Sequence, residues 1–91
     1  MLQINYSINY SDTARKALKK LDRQSAQRIL DYMDERVATA EDPRSLGKPL
    51  KGTLADLWRY RVGDYRILCH IHDGELQVLV LKIGNRREVY R

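Results

Sequence analysis

Apolar and polar side chains alternate without a break from Leu2 to Tyr10, with Leu2, Ile4, Tyr6, Ile8 and Tyr10 against Gln3, Asn5, Ser7 and Asn9. A period of two over this length predicts a half-buried β-strand. Ser11 or Asp12 then offers an N-cap oxygen, and the period changes to that of a helix. Ala14, Leu18 and Leu21 form its apolar stripe, flanked by Arg15, Lys16, Lys19 and Lys20. Asp22 opens a second segment after almost no linker. There Ala26, Ile29, Leu30, Met33 and Val37 keep helical spacing to about Glu41, and Pro43 stops the helix. Tyr32 and Met33 read as core or helix-edge residues. Two helices joined this tightly make an αα-hairpin whose stripes face a sheet.

The stretch 44–56 is irregular, punctuated by Gly47, Pro49 and Gly52, and carries Lys48 and Lys51. Alternation returns at Leu57. Trp58, Tyr60 and Val62 point to one side of a strand, Arg59 and Arg61 to the other. Gly63-Asp64 is a spacer of the length that closes a tight hairpin, which sets Val62 opposite Tyr65 and Arg61 opposite Arg66. Arg59, Arg61 and Arg66 therefore share one face. A second strand runs from Tyr65 to His72, Asp73-Gly74 predicts a type I′ turn, and a third strand runs from Glu75 to Ile83. Ile67, Cys69, Ile71, Leu76, Val78 and Val80 should join Trp58 and Tyr60 on the face that packs on the helices. The arginines should share the opposite face with Leu68, Leu79 and Leu81. The fold class is α+β: an N-terminal strand, an αα-hairpin and a three-stranded antiparallel meander, all in one sheet packed on the two helices, as a single domain over 1–91.

Composition narrows the function. Ninety-one residues, 43% of them hydrophobic, allow one modest core. No apolar run is long enough to span a membrane and no secretory signal is expected at the N-terminus. The single cysteine, Cys69, fits a reducing, cytoplasmic setting. Seventeen Lys and Arg against twelve Asp and Glu give a net charge of +5, which favours a polyanion or an acidic protein as partner. His70 and His72 share a strand face, but Cys69 points the other way, so no zinc site is expected. There is no glycine-rich phosphate loop between strand and helix, and no metal or cofactor is expected.

What remains is a constellation of Arg59, Arg61, Arg66, Arg86, Arg87 and Tyr90. Guanidinium forks bind phosphate oxygens and stabilise charge that develops on them, while a phenol can carry a proton or stack on a base. A plainer alternative has the arginines solvated on a wet face and Tyr90 tucking the tail onto the sheet.

Three motifs, Leu50-Lys51-Gly52, the run LWRYRVGDYR from Leu57 to Arg66, and GNRREVY from Gly84 to Tyr90, follow a strand and a helical hairpin in this order. In that arrangement the chain resembles the RelE/ParE toxin superfamily, and its RelE branch in particular, over nearly its whole length. The resemblance implies a compact α/β toxin that cuts messenger RNA on the ribosome without a metal, and that a cognate antitoxin neutralises. It places the catalytic residues at Arg59, Arg66, Arg86 and Tyr90, with Lys51 and Arg61 as RNA contacts; Lys48 on the loop and Arg87 of the constellation are further candidates for binding RNA. Lys16, Lys19 and Lys20 read first as a solvated helix face, which on an RNA-binding protein would also be a secondary contact surface. Many members carry a histidine at the position of Asn85, and related toxins often carry a lysine at the position of Leu57. With its antitoxin such a toxin is expected to bind operator DNA, through the antitoxin. The same scaffold also admits a ParE-like inhibitor of DNA gyrase without nuclease activity, and a silent member acting only as a repressor component.

Overall fold

A computed structural model describes residues 5–85. Strand β1 (Ser7–Tyr10) comes first, shorter than the alternation from Leu2 implies, with 1–4 outside the described residues. Ser11 caps α1 (Asp12–Lys20): its Oγ accepts from the Ala14 backbone N–H at 3.1 Å and donates to the Leu81 carbonyl at 2.9 Å. One hydroxyl thus starts the helix and ties it to a strand far along the chain. Asp22 caps α2 (Arg23–Tyr32) in the same way, accepting from the Ser25 N–H at 3.0 Å. The helix widens into a π-helical turn over Met33–Val37 and ends there, short of Glu41, while Pro43 opens a 3₁₀ turn over Pro43–Leu46.

The sheet contains β2 (Lys48–Pro49), β3 (Trp58–Val62), β4 (Tyr65–His72) and β5 (Gln77–Asn85) as well as β1, in the order β1-β5-β4-β3-β2. Only β1 and β5 run parallel; the other neighbours are antiparallel. The sequence pattern predicts four of these strands. β2 is missed because a strand of two residues has no period to detect.

The core lies between the helices and one sheet face, where Ala14, Ile29, Met33 and Val37 meet Tyr60, Ile67, Cys69, Val78 and Val80. Tyr60 is fully buried and its hydroxyl donates to the Pro43 carbonyl at 2.7 Å, so the core's largest side chain also anchors the loop before β2. Gly47, in that loop, runs so close to β3 that a Cβ would stand 2.9 Å from the Arg59 carbonyl oxygen and 3.0 Å from the Tyr60 ring. Only glycine lets β2 lie alongside β3 here. No helix among the described residues is long and apolar enough to cross a membrane.

The turn between β4 and β5 differs from expectation. Asp73–Glu75 forms a 3₁₀ turn, and Leu76 follows in the left-handed region with φ of 50°. Leu76 is therefore 40% exposed and does not join the core. The Asp73 side chain explains the change. Its carboxylate accepts two hydrogen bonds from Arg44, at 2.9 and 2.7 Å, and one from the Tyr6 hydroxyl at 2.9 Å. The turn is held by these long-range contacts rather than by a local Asp-Gly preference.

Arg44 first, and then Tyr6, hold the Asp73 carboxyl below its ordinary range. A lowered folded-state value stabilises the fold above the ordinary aspartate pKa, and that contribution fades as the pH falls through the lowered one. Urea denaturation from pH 6 to pH 2 should therefore show stability declining below about pH 4. Asp73→Asn should shallow that decline, and an unchanged slope would show that the network is not linked to folding.

Candidate functional site

On the face turned away from the helices, the strand register assembles two rows of side chains. One row is Arg61, Arg66 and Gly84; the next is Lys48, Arg59, Leu68 and Lys82. Arg61 opposite Arg66 is the pairing that the two-residue turn predicts, and Trp58, Tyr60, Ile67 and Cys69 lie on the helix side as expected. Like charges placed opposite one another are unfavourable unless an anion sits between them.

Burial grades this face. Arg66 is only 7% exposed, and its Nη1 donates to the Tyr65 carbonyl at 3.4 Å. Leu68 is 2% exposed and gives the rows an apolar floor. Leu79 and Leu81 are half-buried, so Leu68 does not form an exposed patch with them. Arg59 is half-buried, and its Nε is enclosed without a hydrogen-bond partner among the described residues. Lys48 and Arg61 are exposed. A guanidinium held against an apolar floor interacts with an anion more strongly than one in free solvent, since less water screens it.

Other expected residues fall elsewhere. Lys51 is exposed beside the 3₁₀ turn Gly52–Leu54, off the sheet face. Lys16, Lys19 and Lys20 are exposed on α1, which packs on the opposite side of the sheet, so the fold does not bring them to the arginines. Arg86, Arg87, Glu88 and Tyr90 lie outside the described residues. Cys69 is buried among core side chains, and burial pushes its thiol up, away from reactive thiolate behaviour. His70 and His72 touch, Nδ1 to Nε2, at 2.8 Å on the arginine side of the sheet, and Cys69 faces away from them.

Lys82 is the cation that the sequence pattern misses. Alternation from Val78 and Val80 would carry it to the helix face. A β-bulge intervenes: Cys69 pairs with Val80, but Leu68 pairs with Lys82, so Leu81 is the extra residue. The extra residue reverses the parity of everything after it. Ile83 turns inward to Ile67, and Lys82 turns out beside Leu68.

A cleft of about 350 Å³ opens at the same end of the sheet but on the helix side, lined by Ser25, Arg28, Asp64, Tyr65 and Asn85.

The sequence model of the family described as ParE toxin of type II toxin-antitoxin system matches residues 8–90. Toxin RelG of Mycobacterium tuberculosis is 30% identical over 86 residues, covering 94% of this chain and 97% of RelG. Toxin RelE of the same organism is 31% identical over 86 residues, covering 94% of this chain and 87% of that toxin. Among solved structures, the toxin–antitoxin complex RelBE2 of M. tuberculosis contains a chain that superposes with a TM-score of 0.84 at 28% identity, covering 96% of this chain and 98% of the other.

Proposed function

Since this chain belongs to the ParE toxin family of type II toxin–antitoxin systems, we propose that it acts as a RelE-like endoribonuclease on messenger RNA at the ribosome. The observation that supports this reading most is the gathering of Arg59, Arg61 and the buried Arg66 on one sheet face over Leu68.

In this reading a 2′-hydroxyl attacks the adjacent phosphorus and the bond to the 5′-oxygen breaks. The 2′-hydroxyl loses a proton and the departing 5′-oxygen gains one, leaving a 2′,3′-cyclic phosphate and a 5′-hydroxyl. Arg66 and Arg86 stabilise the charge that builds on the phosphate oxygens, and Arg59 assists the attacking or leaving oxygen. Tyr90 orients the nucleotide or shares in proton transfer. Guanidinium groups stay protonated and have no acceptor site, so the base must be another group, Tyr90 or Glu88. Lys48, Lys51, Arg61 and Arg87 hold the flanking RNA, and the lysines of α1 add a surface for ribosomal RNA. A cognate antitoxin with acidic side chains covers the arginine face, and the complex reaches operator DNA through the antitoxin.

A second reading, a gyrase inhibitor without nuclease chemistry, is favoured by the match to the ParE toxin model. One experiment separates the two. The purified protein is added to a translating extract and the 3′ ends of the message are mapped, with plasmid supercoiling followed in parallel. Codon-phased cuts support the ribonuclease; loss of supercoiling over an intact message supports the gyrase inhibitor.

Two substitutions probe the proton path. Tyr90→Phe should abolish most single-turnover cleavage if the phenol carries a proton, and should leave most of it if the ring only stacks. Asn85, exposed at the end of β5 opposite Tyr65, holds the place where many relatives carry histidine. Asn85→His should raise the cleavage rate, by about tenfold if a general acid–base group is restored.

A further inference from the structure

We infer that Lys82 is a phosphate-binding residue of this site, a further cation beside Arg59 and Arg66 at the scissile phosphate. The inference deepens the ribonuclease reading and rests on it.

Leu68 pairs with Arg59 on one side and with Lys82 on the other, so these cations flank one buried leucine on adjacent strands. With strands about 4.8 Å apart, their backbones stand roughly 10 Å from each other. Arg66 lies two residues before Leu68 on the same strand and face, and is the diagonal neighbour of both. Diagonal positions on a sheet face are separated by roughly 7–8 Å, within the reach of arginine and lysine side chains. Arg59, Arg66 and Lys82 thus form a triangle over the apolar floor of Leu68.

Three cations set in this way suit a phosphate. Gly84 stands directly opposite Arg66 and projects no side chain over the third edge. Arg66 is buried and Arg59 and Lys82 are half-buried, so the charges are held by packing rather than waving in solvent. A tetrahedral phosphate offers oxygens in several directions, and cations on two sides with one behind can meet them together. Arginine contributes a planar fork, whereas lysine contributes a compact charge that can follow an oxygen as it moves during in-line attack.

The bulge argues that this placement is specific. Without it Lys82 would enter the helix-facing core, where an ammonium group is costly. With it, Ile83 fills the core and the lysine reaches the arginine face. One extra residue thus satisfies both sides of the sheet. Bulges near sites are a common means of re-aiming a side chain.

Single-turnover cleavage on programmed ribosomes, with ribosome affinity measured separately, provides the test. Lys82→Met should lower the rate at saturating ribosome by about tenfold to a hundredfold while affinity changes less than threefold. Lys82→Arg should recover most of the loss, because the cation is restored. Lys16→Met, on α1, should reduce affinity, and that loss sets the scale of a binding contact. Parental rates for Lys82→Met would overturn the inference, as would an affinity loss equal to that of Lys16→Met. Thermal melts of each variant show whether the fold is intact, and if Lys82→Met melts early then Lys82→Gln takes its place under the same criteria.

A second readout does not need turnover. The Lys82 side-chain ammonium resonance should shift on titration with a 2′-O-methyl trinucleotide, and this shift should vanish in Arg66→Ala. A chain that cuts no message yet shows the shift would reject the ribonuclease reading and keep the phosphate seat. A chain that cuts message without the shift would keep the reading and reject the seat.

Discussion

Replacing Arg66 with alanine should lower single-turnover cleavage by a hundredfold or more while leaving ribosome affinity nearly unchanged. The expectation follows from where Arg66 sits. It is the one buried charged side chain among the described residues, 7% exposed, and the register places it beside Arg61 and diagonal to Arg59. A donor held in place before the reaction is worth most where charge grows, and losing one such group typically costs about 3 kcal/mol in the transition state. Arg86→Ala, at the position that the resemblance pairs with Arg66, should behave similarly. Neutralising Lys16, Lys19 and Lys20 together should instead weaken binding and flatten its salt dependence, since phosphate contacts of that kind act by releasing counterions. Because Arg66 is buried, each variant needs a melting curve beside its rate. If folded Arg66→Ala and Arg86→Ala both cleave at the parental rate, the arginines do not drive the chemistry, and gyrase inhibition becomes the better reading.

Tyr60→Ala should be the most destabilising single substitution on β3. The ring is fully buried, and truncating a large aromatic in a packed core costs about 3–5 kcal/mol. The change also strips the Pro43 carbonyl of its donor, the 2.7 Å hydrogen bond that fixes the loop before β2. An acceptor left buried and unpaired adds about 1–3 kcal/mol. For a domain whose total stability is on the order of 5–15 kcal/mol, that is enough to leave much of the protein unfolded at 37 °C. Tyr60→Phe isolates the hydrogen bond and should cost only about 1–2 kcal/mol. Urea denaturation followed by circular dichroism measures both. Tyr60 and the flanking Arg59 and Arg61 occupy opposite faces of one strand, so Tyr60→Phe assayed well below its melting temperature should cleave at the parental rate. A large rate loss there would mean that the two faces are mechanically coupled.

The hairpin was readable in the sequence because two signals agree there. Strict alternation from Trp58 to Val62 and a two-residue Gly63-Asp64 turn leave only one register, and Arg61 indeed pairs with Arg66. The helix stripes were equally plain, since Ala14, Ile29, Met33 and Val37 are all buried. What escaped depends on single residues or on distant contacts. A bulge at Leu81 has no periodic signature, so Lys82 could not be placed on the arginine face by pattern. The turn at Asp73 is decided by Arg44 and Tyr6, residues 29 and 67 positions away. Their influence cannot be seen within a local window. The burial of Arg66 likewise comes from tertiary packing, which a charged residue in an alternating strand does not announce.

The place of β5 in the sheet bears on when the protein becomes whole during its own synthesis. β5 is the last described strand along the chain, yet it lies between β1 and β4 and is the only partner of β1 among the described residues. Until Gln77–Asn85 clears the exit tunnel, the first strand has no ladder to join and the helices have only part of a sheet to cover. Such distant pairings form late, because chain ends must be brought together before any contact compensates the lost entropy. The rows of cations share this dependence, since Lys82 is carried on β5 itself. Until β5 has emerged, the ribosome making this chain therefore holds a sheet whose β1 and β4 are not yet joined and a cation row that still lacks Lys82.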